Sequence, residues 1–274
     1  MKDRICLYTP PFRWMDSYRQ IIDYAVESGL CAIEGFNNFE FETPDLDKAK
    51  GIAAYATSKG IRFACFSVYA DLTGDDREEQ IRMLKDYAQV AATLGSPYLH
   101  HTIAPDHVTP RRNMLSVFYD RGIAAVQEVY DYAQQLGVRT IFEDQGYIFN
   151  GVEGFGRFLE EVDRGVGVVI DTGNIFQVDE HPEAFIEAFA HRVCHAHIKN
   201  VAWSDKAVPG WLETLHGNYF TCGRLHDGII NLRSCVELLE STGYKGFYAL
   251  EFSAGAGEKA AMDDYINQAA SWLK

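Results

Sequence analysis

The sequence predicts an α/β chain closed into a (β/α)8 barrel, with residues 1–274 forming a single domain. Three observations predict it. Short apolar runs alternate strictly with helical patterns, and this alternation demands a parallel sheet. The strand-then-helix unit recurs eight times at about 30 residues, the size of one βα repeat. Glycine closes the helix before the next strand at Gly29, Gly60, Gly95, Gly137 and Gly243. Eight repeats favour closure over an open doubly wound sheet, and no G-x-G-x-x-G follows the first strand.

Taken in order, Arg4–Thr9 is strand one, stopped by Pro10 and Pro11. Ser17–Ser28 carries Tyr18, Ile21, Ile22, Ala25 and Val26 at helical spacing. Strand two is Leu30–Phe36, and Thr43-Pro44 opens a helix through Ser58. Strand three is Ile61–Val68, followed by an amphipathic helix over Asp75–Thr93. Strand four is Tyr98–Ile103. Thr109-Pro110 then reads as an N-cap with proline at the first helical position, opening a helix that runs to Leu136. Val138–Glu143 is strand five, with a helix from Asn150-Gly151 to about Val162. Val166–Asp171 is strand six: an apolar, β-branched run buried on both faces that ends on a carboxylate and the turn Thr172-Gly173-Asn174. Pro182–Ala190 is a short helix and Val193–Lys199 is strand seven. Trp203 to Gly228 reads as a long irregular loop, of the kind that serves as a lid or a dimer contact. Ile229–Ser241 is a helix, Gly246–Phe252 is strand eight, and Ser253–Gly257 leads into a final helix to Lys274.

The bulk properties bound the function. A net charge of −14 repels phosphate backbones, so nucleic acid and anionic membranes are not the expected partners. The six cysteines lack C-x-x-C spacing, and four lie in apolar strand-like runs, which reads as small buried hydrophobes in a reducing compartment. Met1-Lys2-Asp3-Arg4 runs straight into strand one without a signal-type apolar region, so the expected location is cytoplasmic.

Four successive strands deliver chemistry at their C-terminal ends: Glu143, Asp171, His197 and Glu251. That end of a (β/α)8 barrel carries the active site. Alone, each residue reads as a polar group satisfied at a strand end. Together, three carboxylates and an imidazole converge only around a cation. Oxygen-rich ligation with one nitrogen suits Mn²⁺ or Mg²⁺, with Co²⁺ or Zn²⁺ as further candidates.

The runs Glu143-Asp144-Gln145-Gly146, Asp171-Thr172-Gly173-Asn174, His195-Ala196-His197-Ile198-Lys199 and Leu250-Glu251-Phe252 resemble the xylose isomerase-like TIM-barrel superfamily, which includes sugar phosphate isomerases and epimerases and AP endonuclease family 2. The resemblance covers the whole chain and is strongest from Val138 to Phe252. It implies one divalent metal ion held by Glu143, Asp171, His197 and Glu251. It also implies that Glu143 and Glu251 are catalytic, moving a proton next to a substrate carbonyl through an enediolate. The chain departs from many ketose epimerases twice. Asn174 stands where they carry His, and Lys199 follows the metal His where they place an Arg a few residues on.

Further pocket candidates are Asn174, His101, Lys199 and Glu34. Alternation points only one of His100 and His101 inward, and position in the superfamily favours His101. His195 falls one layer below His197, and Glu34 reads equally as pocket lining or as a structural ion pair. Phe12 and Trp14 offer an apolar wall for a sugar face, with Tyr8 more at home in the core. Trp203, Trp211, His216 and His226 sit in the long loop.

The leading expectation is a divalent-metal-dependent isomerase or epimerase of a small sugar, polyol or sugar phosphate, with homo-oligomers common in the superfamily. The alternative is a metal-dependent dehydratase of an inosose-like keto-polyol. Endonuclease IV-like DNA repair ranks lower, because it uses three zinc ions and more histidines and the charge opposes it. A non-catalytic binding barrel is opposed by the intact ligand set.

Overall fold

Alternation along each barrel strand sorts its side chains onto two faces, and this sorting builds the molecule. In a computed structural model, residues 2–104, 115–223, 228–251 and 259–273 are described. The barrel strands are β1 (Ile5–Tyr8), β2 (Ala32–Phe36), β3 (Arg62–Val68), β4 (Tyr98–His101), β5 (Arg139–Glu143), β6 (Gly167–Asp171), β7 (Val193–Ile198) and β11 (Tyr248–Leu250). They close in the order β1-β11-β7-β6-β5-β4-β3-β2, every neighbour parallel. The helices α1 (Tyr18–Glu27), α2 (Leu46–Ser58), α3 (Arg77–Leu94), α4 (Leu115–Gln135), α5 (Gly151–Val162), α6 (Pro182–Phe189), α7 (Leu232–Ser241) and α8 (Lys259–Trp272) follow the barrel strands in turn. The expected (β/α)8 barrel is therefore present.

Leu7, Ile33, Phe66, Leu99, Phe142, Ile170, Ala196 and Leu250 belong to the continuous core between strands and helices. Apart from that core lie two small clusters, Cys6, Ala32, Ala64 and Ala249, and Cys65, Ile141 and Val169. Two positions further along these inward rows stand Tyr8, Glu34, Ser67, Glu143, Asp171 and Glu251. Apolar side chains therefore fill the barrel floor and leave its mouth to polar ones.

Two register shifts refine the aim. One lies at Ile33/Glu34 against β3 and one at Val168/Val169 against β7. A bulge of this kind re-aims side chains beside it. After the second shift, Val169 pairs with His195 and Asp171 with His197.

Local chemistry sets the helix ends. Ser17, Asp45, Asn150 and Asn231 each accept from a backbone N–H at the start of α1, α2, α5 and α7. Gly95 ends α3 with φ of 74°, a left-handed conformation that only glycine adopts without strain.

The region after β7 differs from the sequence expectation of an irregular loop. β8 (Asn200–Ser204), β9 (Leu212–Glu213) and β10 (Tyr219–Gly223) form a separate antiparallel sheet in the order β8-β10-β9. The expected proline cap at Thr109-Pro110 lies outside the described residues, as do His226 and the loop Ser253–Gly257. All six cysteines are free. Among the described residues, no helix is long and apolar enough to cross a membrane.

Candidate metal centre at the barrel mouth

β5 and β6 end on Glu143 and Asp171, β7 carries His197 one residue before its end, and Glu251 directly follows β11. The structure brings all four together: one potential ligand atom from each lies within 4.8 Å of the others. His197 Nδ1 is 3.1 Å from Glu143 Oε2, 3.1 Å from Glu251 Oε2 and 3.8 Å from Asp171 Oδ2. Asp171 and His197 are buried, and Glu251 keeps 23% side-chain exposure as the most open of the set.

Asp171 is fixed by its own turn. Its Oδ1 accepts from the N–H groups of Gly173 (2.7 Å) and Asn174 (2.8 Å), and its Oδ2 faces the Lys199 ammonium at 2.9 Å. The same ammonium lies 2.8 Å from Glu251 Oε1. Thr172 Oγ1 donates to the Lys199 carbonyl (2.7 Å) and accepts from its N–H (3.0 Å), which pins the two strand ends.

Titration behaviour reflects the crowding. Burial, with Glu251 and Glu143 nearby, pushes the Asp171 carboxyl up to about 7 even though Lys199 pulls the other way. Burial also raises Glu251, but Lys199 and His197 outweigh it and hold it well below the usual carboxylate range. For His197, burial opposes the charge, yet Glu34, Glu143 and Glu251 raise its pKa well above the ordinary histidine value. Burial and Asp171 drive Asp144 far up, so it keeps its proton while Oδ1 accepts from the Asp171 N–H at 3.0 Å.

This donor set fits a hard divalent cation: three carboxylates and one imidazole nitrogen, with one ligand atom from each within 4.8 Å of the others. Beneath it, Glu34 is fully buried and accepts from His195 Nε2 at 2.7 Å, His197 Nε2 at 3.0 Å and Ser67 Oγ at 2.5 Å. A carboxylate on the far nitrogen of a ligand histidine fixes its ring orientation. Glu34 is thus an anion below the centre, and His195 sits one layer deeper than His197.

The remaining candidates divide. Asn174 is buried, with its Nδ2 unpartnered. His101 stands outside the four-residue cluster: its ring packs edge-on against Phe142 at 4.7 Å and Nδ1 meets the Thr102 carbonyl at 3.0 Å, while it lines a small cavity together with Glu143 and Gln145. His100 takes the inward place, its ring 5.3 Å from that of His197 and its Nε2 3.7 Å from Glu143 Oε1. The parity of Leu99, a core residue, carried that signal in the sequence. Ser67 passed unnoticed because a single serine in an apolar strand has no local signature. Tyr8 also reaches the centre, its ring 5.2 Å from His197, while Phe12 is buried against Trp14 and Tyr24. Trp203 is exposed on β8, and Trp211 and His216 lie before and after β9.

The family model described as xylose isomerase-like TIM barrel matches residues 22–274. An inosose dehydratase from Geobacillus thermodenitrificans is 23% identical over 252 residues, covering 86% of this chain and 82% of the relative. A xylose isomerase domain protein from Planctomyces limnophilus superposes with a TM-score of 0.79 at 16% identity, over 99% of this chain and 96% of the other. D-psicose 3-epimerase from Clostridium cellulolyticum H10, solved with D-tagatose, superposes with a TM-score of 0.76 at 16% identity, over 98% and 97%. From the motifs, the closed barrel and the family match together, the chain belongs to the xylose isomerase-like TIM-barrel family.

Proposed function

We propose that the protein is a divalent-metal-dependent isomerase or epimerase of a small sugar, polyol or sugar phosphate. The observation that carries the reading is the placement of Glu143 and Glu251, each 3.1 Å from His197 Nδ1 from different strands. Glu143, Asp171, His197 and Glu251 would hold one Mn²⁺ or Mg²⁺ ion. When bound, that ion supplies positive charge against the oxyanion that develops when a carbon next to a carbonyl loses its proton. One glutamate takes that proton and the other returns one, to the opposite face or the neighbouring carbon. Glu34 holds the His197 ring. Asn174, through its unpartnered Nδ2, binds a substrate oxygen. The likeness to D-psicose 3-epimerase supports the fold-level part of this reading.

A dehydratase of an inosose-like keto-polyol is the second reading. The inosose dehydratase relative favours it, and so does the Lys199 ammonium 2.8 Å from Glu251. After the same proton removal, Lys199 would protonate a β-hydroxyl as its C–O bond breaks and water leaves. Incubation with ketoses and inososes followed by mass analysis decides between them. Isomerisation preserves mass, and dehydration removes one water. Purified protein free of divalent metal and inert toward every such substrate contradicts both.

A further inference from the structure

The segments that follow Glu143 and Asp171 are joined by one buried side chain outside the ligand set. Gln177 lies in the short 3₁₀ helix Asn174–Val178, six residues after Asp171, and is buried. Its Oε1 accepts from the N–H of Gly146 at 2.5 Å. Gly146 is buried three residues past Glu143, with φ of 72°, the left-handed region open to glycine. Without Gln177 that N–H would be a buried donor lacking its acceptor, which is costly. Asn150 closes the same connection from the other side. Its Nδ2 donates to the carbonyls of Gly146 (2.9 Å) and Asn174 (3.0 Å). The Asn174 N–H in turn donates to Asp171 Oδ1. The loop after one candidate ligand and the turn after another are thus a single hydrogen-bonded unit.

The main chain of Gln177 reaches a third element. Its carbonyl accepts from the Leu215 N–H at 2.8 Å, in the turn of the β9–β10 hairpin. Asp179 completes the clasp: its Oδ2 accepts from the His216 N–H (3.1 Å) and its Oδ1 from Asn218 Nδ2 (2.8 Å). On the other loop, Tyr147 Oη donates to the Glu213 carbonyl. The hairpin is therefore bonded to both ligand-bearing segments as well as to its own sheet.

We propose that Gln177 is a positioning residue for the metal centre, tying the β9–β10 hairpin to the segments that carry Glu143 and Asp171, so that hairpin docking and cation binding are coupled. The inference rests on the metal-centre part of the function proposed above. It adds a residue and a hairpin that supply no ligand themselves. Side chains that orient ligands from behind act on affinity, typically by about 10–100-fold when removed. The coupling is reciprocal: whatever hairpin release does to cation affinity, the cation does to hairpin release.

Two measurements on the whole chain test it: Mn²⁺ affinity, from the paramagnetic resonance of the free ion, and deuterium exchange of the hairpin, by mass spectrometry. Gln177→Met keeps the length of the side chain and removes the acceptor. Asp179→Gly removes the clasp where φ is 59°, a conformation that glycine takes without strain. Each is expected to weaken Mn²⁺ binding about tenfold. Leu84→Ala, a cavity in the buried face of α3, destabilises the fold without touching this unit and is expected to keep the wild-type affinity. Saturating Mn²⁺ is expected to slow exchange over residues 212–219 about tenfold in the wild type and to leave it unchanged in Gln177→Met. Wild-type affinity in Gln177→Met, or an equal loss in Leu84→Ala, overturns the positioning role. Exchange over 212–219 that ignores Mn²⁺ in the wild type overturns the coupling. Should Gln177→Met not fold, the affinity of Asp179→Gly decides by the same criteria. Either failure with intact wild-type binding leaves the metal centre standing, whereas a wild type that binds no Mn²⁺ overturns the centre and this proposal with it.

Discussion

The Lys199 ammonium lies 2.9 Å from Asp171 Oδ2, inside the carboxylate ring that forms the candidate metal centre. A buried cation placed there compensates charge that water cannot reach. Burial lowers the lysine pKa, but Asp171 and Glu251 raise it well above its ordinary value, so it stays charged. Lys199→Met leaves that charge uncompensated and should destabilise the metal-free protein by about 3 kcal/mol, since losing one partner of a buried pair is costly. Added Mn²⁺ should then stabilise the variant more than the wild type. Urea denaturation with and without Mn²⁺ measures both, and an equal metal increment in the two proteins contradicts the compensating role.

Metal uptake should release protons. His197 is protonated in the metal-free chain and Asp171 titrates at about 7, so a cation competes with hydrogen ions for both. Affinity should rise as pH increases through neutrality and fall below it. Calorimetry of Mn²⁺ binding in buffers of different ionisation enthalpy should report release of about one proton or more. Binding with no proton release would place the ion elsewhere.

His101 offers a pH effect on stability separate from the metal. Burial pushes its pKa down from 6.5 to about 4 despite the Thr102 carbonyl. The unfolded chain therefore binds more protons between those values, and the penalty sets in below pH 6.5 and is complete near pH 4. At one pKa unit per 1.36 kcal/mol, the wild type should lose about 3 kcal/mol relative to His101→Phe across that window. Parallel urea series at several pH values read the difference. A constant gap would mean that His101 is not buried as a neutral ring.

Gly35 tests the packing beneath the site. A Cβ there would lie 2.6 Å from the Phe66 ring, which is buried between Phe41 and Tyr87 and has nowhere to move. Gly35→Ala should cost about 1–3 kcal/mol through overpacking. Thermal unfolding at constant pH measures it, and an unchanged midpoint would show a looser wall than the structure describes.

Much of this was legible in sequence because the barrel's information is local. Val168-Val169-Ile170-Asp171 announces a buried strand and its terminal carboxylate within four residues. The sheet of β8, β9 and β10 was not legible, because Tyr219 pairs with both Ser204 and Glu213 across intervening turns, and such pairing leaves no local period. Glu34 could be placed at a strand end, but its role needed His195 and His197, more than 160 positions away by chain separation. The choice between His100 and His101 turned on one step of strand parity, which superfamily position alone could not supply.

Proton transfer by the two glutamates is tested by solvent deuterium incorporation into ketoses and inososes by the Mn²⁺-loaded protein, compared with Glu143→Gln and Glu251→Gln. Deuterium is expected next to the carbonyl with the wild type, with a rate lower by about 10²–10⁴ in each variant, the usual worth of a positioned acid or base. Incorporation at the wild-type rate in both variants would contradict it.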